Sequence, residues 1–550
     1  MKERIFCAVL VLSTWGCDGS PASDAGGPSA DAGTGDGGVV ADGGRDAGAS
    51  DAGEPCGVDL GLEGDLLRTT TGPFRGEIVG GVVAFRGIPF AEPPLGERRF
   101  LAPTPAACTT AERPAVSFPA LCPQLDETDA PVGQEDCLYL NVWVPTAPAP
   151  AAGRPVLIFI HGGGNTQGGT SNERGGGPLY DGAFLAEDRD VVVVTLDYRL
   201  GALGFLAHPA LGAESAVGAS GNYGILDQIE ALRWVQANLT AMGGDPTRRL
   251  VFGESAGARD TCTLVATPLA SGLFTRALMQ SGNCNQPSLA DREMEGEMYA
   301  AMVGCDATDP VEVAACLRAA PAADLAALSG GVSSGGVITE TFGPTVDGYV
   351  LTDEPIEMIR RGEHNHVPFV VGANADETTV LGVPAMMTEL EYRAAVHARL
   401  PGALGDQALA LYPSSDFASP RAAFVALTTD AQFVCGARRI AVAADAGQSE
   451  SVYRYYFSDR VVPLFGAFHG AELFYVFGRL DGLGSTAPAA SLGLASEMRA
   501  AWTAFADSGN PGAAWPTYDA TDPYTELAAP IVMGAGLHTA RCDFWDSLLM

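Results

Sequence analysis

The run Gly253-Glu254-Ser255-Ala256-Gly257 constrains this 550-residue chain more than any other stretch. It follows the apolar residues Leu250-Val251-Phe252 and precedes a segment able to continue as helix. That order predicts a strand, a sharp turn and a helix, with a serine at the apex. Glycines on either side of the serine let the backbone turn without Cβ clashes. The turn lifts the hydroxyl out of a sheet, and the following helix points its first N–H groups at the same spot. Such a serine is a candidate nucleophile; the bland alternative is a small-residue turn with a satisfied hydroxyl. The rest of the chain decides between them, because nucleophilic chemistry also needs an oxyanion hole, a base and an acid.

The flanking segments predict the architecture. Residues 156–160 (Val-Leu-Ile-Phe-Ile) and 191–196 read as buried strands. So do 250–252, 276–280, 368–372 and 452–457, while 225–239 has apolar residues near helical spacing. Continuous apolar strands separated by helices indicate an α/β fold with a mainly parallel sheet covered on both faces. Active sites in such sheets lie at the carboxyl ends of strands. A hydrophobic content of 47% is ample for a large core. The net charge of −34 argues against binding to nucleic acid or an anionic membrane surface.

The first 17 residues read as an export leader: Lys2 and Arg4, then an apolar run too short to span a bilayer. Gly16-Cys17 resembles a bacterial lipoprotein cleavage site with Cys17 as the lipidated residue, and plain secretion is the rival reading. Residues 18–55 are nearly all Gly, Ala, Asp and Ser, the composition of an extended, disordered tether. The folded body is expected over 56–550. Twelve cysteines, less Cys7 and Cys17, leave ten, an even number that reads as disulfides in an exported protein. No Cys/His cluster suggests a metal, and no cofactor is expected.

Three motifs fall at predicted strand ends. His161-Gly162-Gly163-Gly164 follows residues 156–160, and its bare backbone can bring N–H groups close to a substrate. With the N–H of Ala256 these form a candidate three-donor oxyanion hole, each donor contributing about 3 kcal/mol in a transition state. Asn374-Ala375-Asp376-Glu377 follows 368–372 and offers a carboxylate to orient a base, or is simply a solvated acidic loop. His469, in Phe468-His469-Gly470-Ala471-Glu472-Leu473, follows a Pro/Gly-rich loop among aromatics. His364 and His366 lie in a charged stretch that reads as surface, and His397 in a helix-like segment.

The chain resembles the type-B carboxylesterase/lipase family of α/β-hydrolases, which includes the cholinesterases and the non-catalytic neuroligins. The resemblance rests on Glu135-Asp136-Cys137-Leu138-Tyr139-Leu140-Asn141 and on Tyr198-Arg199-Leu200-Gly201-Ala202-Leu203-Gly204-Phe205. It rests equally on Gly221-Asn222-Tyr223-Gly224-Ile225-Leu226-Asp227-Gln228 and Gly243-Gly244-Asp245-Pro246. It implies one large α/β-hydrolase domain that cleaves carboxylic esters of small molecules, with Ser255 as nucleophile, Glu377 as acid and His469 as base. Gly163, Gly164 and Ala256 become the oxyanion donors. Glu254 and His161 take supporting parts, Glu254 either tuning the electrostatics or anchoring the turn.

The same resemblance implies disulfides Cys122–Cys137, Cys305–Cys316 and Cys435–Cys542; Cys56–Cys108 and Cys262–Cys284 are the pairs that remain. Two departures bear on substrate. The Cys122–Cys137 loop lacks the tryptophan with which cholinesterases bind choline, which argues against acetylcholine. Asn165 stands where the family usually has an aromatic residue, leaving the shape of the acyl and alcohol pockets open. Short or medium esters are the expected substrates, with a lipase, amidase, polyester hydrolase or non-catalytic binding module as alternatives.

Overall fold

Eleven strands build the central sheet: β1 (Glu77–Val79), β2 (Val82–Pro89), β3 (Tyr139–Pro145), β4 (Arg154–Ile160), β5 (Val192–Leu196), β6 (Gly244–Glu254), β7 (Arg276–Gln280), β8 (Phe369–Asn374), β9 (Val452–Phe457), β10 (Pro523–Leu527) and β11 (Val532–Ala535). Across the sheet they run β11-β10-β9-β8-β7-β6-β4-β5-β3-β2-β1. From β10 to β5 every neighbouring pair is parallel. Antiparallel pairs flank this block on both sides. This computed structural model describes residues 59–173, 177–329, 333–335, 337–338, 341–483 and 486–548. The predicted leader with Cys17, the 18–55 segment, and Cys56 with its pairing to Cys108 lie outside them.

The apolar runs are continuous because both faces of the sheet are covered. In β4, Val156, Ile158 and Ile160 enter one buried cluster and Leu157 and Phe159 the other. Val251 against Leu250 and Phe252 in β6, and Phe369 and Val371 against Val370 in β8, repeat the alternation. The first face is covered by α1 (Tyr223–Asn238), α2 (Ala256–Ala266) and α3 (Cys435–Gly447). The long helix α4 (Ala489–Ser508) covers the second. The observed strands match the expected ones closely; β6 starts earlier than residue 250, and α1 spans the helix expected at 225–239.

Among the described residues, disulfides join Cys122–Cys137, Cys262–Cys284, Cys305–Cys316 and Cys435–Cys542. The last closes 107 residues of sequence and ties the C-terminal helix Thr539–Ser547 to α3. His364 is half-buried against Gln448 rather than on the surface as expected, whereas His366 is exposed.

Candidate active site

The turn after β6 is a tight elbow. Ser255 has φ 59° and ψ −120°, a conformation that costs a non-glycine residue roughly 1–3 kcal/mol and persists only where its surroundings enforce it. Here the Ser255 N–H donates to the Gln280 carbonyl on β7 at 2.8 Å, and α2 begins at the next residue. Gly257 explains the second glycine of the motif. Any Cβ there would strike the carbonyl oxygens of Ile160 and His161, so α2 can approach the end of β4 only with glycine at this position. That approach brings the glycine-rich loop after β4 beside the elbow.

The loop after β4 turns through Gly163 at φ 111°, and a Cβ there would collide with the Gln167 carbonyl. The N–H groups of Gly163, Gly164 and Ala256 donate to no other backbone carbonyl among the described residues. His161 is fully buried and supports the loop from behind. Its Nδ1 lies 2.8 Å from the Gly162 carbonyl oxygen, and its ring stacks on Tyr198 at 4.6 Å. Burial pushes its pKa down to about 4, so near neutral pH the ring is neutral with Nδ1–H as donor.

The loops after β8 and β9 bring Glu377 and His469 together. His469 Nδ1 lies 2.6 Å from Glu377 Oε2. The other Glu377 oxygen accepts the Asn374 N–H at 2.7 Å, so the fully buried carboxylate is held on both sides. The neighbouring Asp376 turns outward to Arg460 and the Ala467 N–H, which settles which acidic residue of the pair meets the histidine. On its far side His469 packs against the Phe433 ring at 5.0 Å.

His469 Nε2 makes no hydrogen bond in this state and lies 3.3 Å from Glu254 Oε1. Glu254 therefore faces the imidazole, and of its two expected roles the electrostatic one has a direct contact. Burial alone would lower the imidazole pKa; the Glu254 and Glu377 carboxylates outweigh it and push His469 up to about 9. Burial also raises Glu254, to about 7, with His469 pulling it down and Glu377 pushing it up. Glu472, buried and bonded to Asn374 and Gln280, is raised to about 8 by burial and by the Glu254 and Glu377 carboxylates.

The sign of the pH effect follows. A base accepts a proton only when neutral, so kcat/KM should climb with pH along a limb displaced above the ordinary imidazole range. Glu254→Gln removes the largest attraction holding the proton on His469. The limb should then move to lower pH by about one unit or more. A pH profile of kcat/KM that is superimposable on that of the parent protein would show that Glu254 does not act on His469.

Cavities lie on either side of the oxyanion loop. One of about 20 Å³, bordered by Gly164, Ser255, Ala256, Arg259, Ser281 and Phe433, adjoins the elbow. The other, about 290 Å³, reaches Glu254, Gly162 and Gly163, and is walled by Leu121, Gln124 and Tyr180. Leu121 and Gln124 flank Cys122, so the Cys122–Cys137 loop does border the site. Gln124 clamps it to the oxyanion segment through two 2.8 Å hydrogen bonds with the backbone of Gly168. Asn165, where the family usually has an aromatic residue, is fully buried and turned into the protein, bonded to Asp260 and Tyr198. Phe433 was not singled out from sequence. It lies on a π-helical turn, Asp430–Val434, distant in sequence from every motif, and carries no local signal.

A doubly covered, mostly parallel sheet, with a serine elbow, a glycine-rich loop and a buried His–Glu pair at its strand ends, is the architecture of serine hydrolases of the α/β-hydrolase class. Residues 63–545 match the model of the carboxylesterase family, and the chain belongs to that family. It is 37% identical to the fumonisin B1 esterase of Sphingopyxis macrogoltabida over 501 residues, covering 86% of this chain and 88% of that one. The cocaine esterase of Oryctolagus cuniculus is 34% identical over 88% of this chain and 96% of its own length. The para-nitrobenzyl esterase of Bacillus subtilis (strain 168) is 34% identical over 82% and 92%. The protein is a carboxylesterase, an enzyme acting on small-molecule esters.

Proposed function

We propose that Ser255, His469 and Glu377 are the catalytic triad, and that Gly163, Gly164 and Ala256 are the oxyanion donors. The 2.6 Å His469–Glu377 pair, buried beside the serine elbow, is the observation that carries this reading. Ser255 Oγ attacks the ester carbonyl carbon while His469 Nε2 takes its proton. Glu377 accepts the Nδ1–H bond, fixes the tautomer and stabilises the imidazolium that forms. The developing oxyanion lies against the three N–H groups. Collapse breaks the bond to the alcohol oxygen, which leaves with the proton from Nε2. Water, deprotonated by the same nitrogen, then attacks the acyl-enzyme and frees the acid and Ser255. In its resting position Nε2 faces Glu254, so turning toward Ser255 is part of reaching the reactive geometry.

The substrates proposed are esters with a short or medium acyl chain. The 20 Å³ space beside Ser255 favours a small acyl group, and the 290 Å³ cavity across the oxyanion loop has room for a larger alcohol. Relatives named for fumonisin B1, cocaine and para-nitrobenzyl esters are consistent with a bulky substrate half. The test is labelling of the purified protein by an organophosphonate, followed by peptide mass spectrometry. An adduct on Ser255 is the expected result, and a protein that hydrolyses esters with Ser255 unlabelled would overturn the assignment.

Export, with the chain tethered through a lipid on Cys17, is also proposed, supported by the leader and the Gly/Ala/Asp/Ser segment that follows it. Mass spectrometry of the mature N-terminus should find an acylated Cys17. An unmodified start downstream of it would refute the anchor.

A further inference from the structure

The two halves of the oxyanion hole stand on different elements. Gly163 and Gly164 belong to the loop after β4, and Ala256 is the first residue of α2. Donors must lie within a few tenths of an ångström of the position the oxyanion will take, so the spacing between loop and helix is a catalytic variable. Backbone bonds alone do not set it: among the described residues, the backbone–backbone hydrogen bonds of residues 163–167 run within the loop or from Gly201 to the Asn165 carbonyl.

A buried side-chain pair crosses the gap. Asn165, the residue after Gly164, donates from Nδ2 to Asp260 Oδ1 at 2.9 Å. Asp260 lies on α2, five residues after Ser255 and four after Ala256. Both side chains are 0% exposed. Each end is held in turn. The Tyr198 hydroxyl sits 2.9 Å from both Asn165 Oδ1 and the His161 carbonyl oxygen, so its single proton serves the two ends of the glycine loop. Gln228 on α1 donates to Asp260 Oδ2 at 2.6 Å. Asn165 itself is at φ 57°, in the left-handed region where asparagine is the best tolerated residue after glycine.

We propose that Asn165 and Asp260 are positioning residues: their buried hydrogen bond staples the glycine loop to the nucleophile helix and so sets the distance between the Gly163/Gly164 and Ala256 donors. Neither residue touches substrate. The role rests on the assignment of Ser255 and the oxyanion donors made above. A burial role alone would predict lost stability with catalysis per folded molecule unchanged. A staple predicts a fall in kcat with KM preserved, because the donors meet the oxyanion only in the transition state.

The polarity of the pair allows a reciprocal test. Asn165→Asp places two carboxylates face to face and breaks the staple. Adding Asp260→Asn rebuilds it in reverse, with the new amide donating to the new carboxylate while Gln228 and Tyr198 keep their bonds. Asp260→Asn alone should be nearly silent, since a flipped Gln228 amide can accept where it formerly donated. Steady-state kinetics on a p-nitrophenyl ester are read together with the affinity for a trifluoromethyl ketone, whose hemiketal oxyanion occupies the hole. Asn165→Asp should lower kcat about 10- to 100-fold, with KM within about threefold and ketone affinity falling in parallel. The double variant should recover both to within a few-fold. If Asn165→Asp does not fold, Asn165→Ala should show the same kcat loss without rescue by Asp260→Asn. A folded Asn165 variant with unchanged kcat and ketone affinity, or a folded double variant without recovery, overturns the proposal. Failure of the underlying assignment looks different: the parent protein would then bear no phosphonate on Ser255.

Discussion

Ser255→Ala should abolish ester hydrolysis while leaving the fold intact. In the proposed triad the Ser255 hydroxyl is the atom that bonds to the acyl group. Serine nucleophiles removed from comparable triads cost on the order of 10⁶-fold in kcat, the remainder coming from the oxyanion hole and binding. A loss of at least about 10⁴-fold on p-nitrophenyl butyrate is the expected reading here. Stability should not suffer. Ser255 sits at φ 59°, and alanine inherits that strained position without adding bulk. Its held group is the backbone N–H to Gln280, which alanine retains. Unchanged thermal unfolding alongside lost hydrolysis and lost phosphonate labelling would be the full signature. A folded Ser255→Ala protein with full activity would remove the triad assignment.

Glu377→Gln is expected to be almost as damaging, for a reason read from its two partners. Glu377 Oε2 accepts from His469 Nδ1, and Oε1 accepts the Asn374 N–H. A glutamine has only one acceptor oxygen. If that oxygen stays with Asn374, its amide NH₂ faces Nδ1 and forces the imidazole proton onto Nε2, the wrong tautomer for a base. A fall in kcat of about 10³- to 10⁴-fold should follow, with little change in KM. The pH profile discriminates further. Glu377 also contributes to holding the His469 pKa above its usual range. Residual activity in Glu377→Gln should therefore show a rising limb at lower pH than the parent. A variant retaining parental kcat and limb would show that Glu377 orients nothing.

Much of the framework was legible locally. The strand at 156–160 was readable because a strand buried on both faces is apolar at successive positions; those at 276–280 and 452–457 were readable from their apolar and aromatic majority, although each also carries polar residues, among them the buried Gln280 and Arg454. The elbow was readable because two glycines flank the serine, and Gly257 turns out to be required by the carbonyls of Ile160 and His161. Choosing Glu377 over Asp376 needed the family resemblance. In the sequence they are adjacent carboxylates, and only the course of the loop sends one to His469 and the other to Arg460.

Asn165 stands beside the glycines, and its sequence context left the shape of the pockets open. The left-handed backbone at that residue turns its side chain inward, onto Asp260 and Tyr198. Phe433 was not legible in the sequence: nothing around it in the chain points to His469, and a π-helical turn between two helices delivers it there.

By itself, then, the sequence determined the class of fold, the strand–turn–helix elbow at Ser255 and the glycine loop, since these depend on local backbone demands and hydrophobic periodicity. Only the tertiary structure decided that Asp376 turns away to Arg460, that Glu254 faces the second nitrogen of His469, and that Asn165 joins the glycine loop to α2. Each of those is a contact between segments tens to hundreds of residues apart. Such contacts are set by how the loops at the strand ends converge, and no local pattern encodes that convergence.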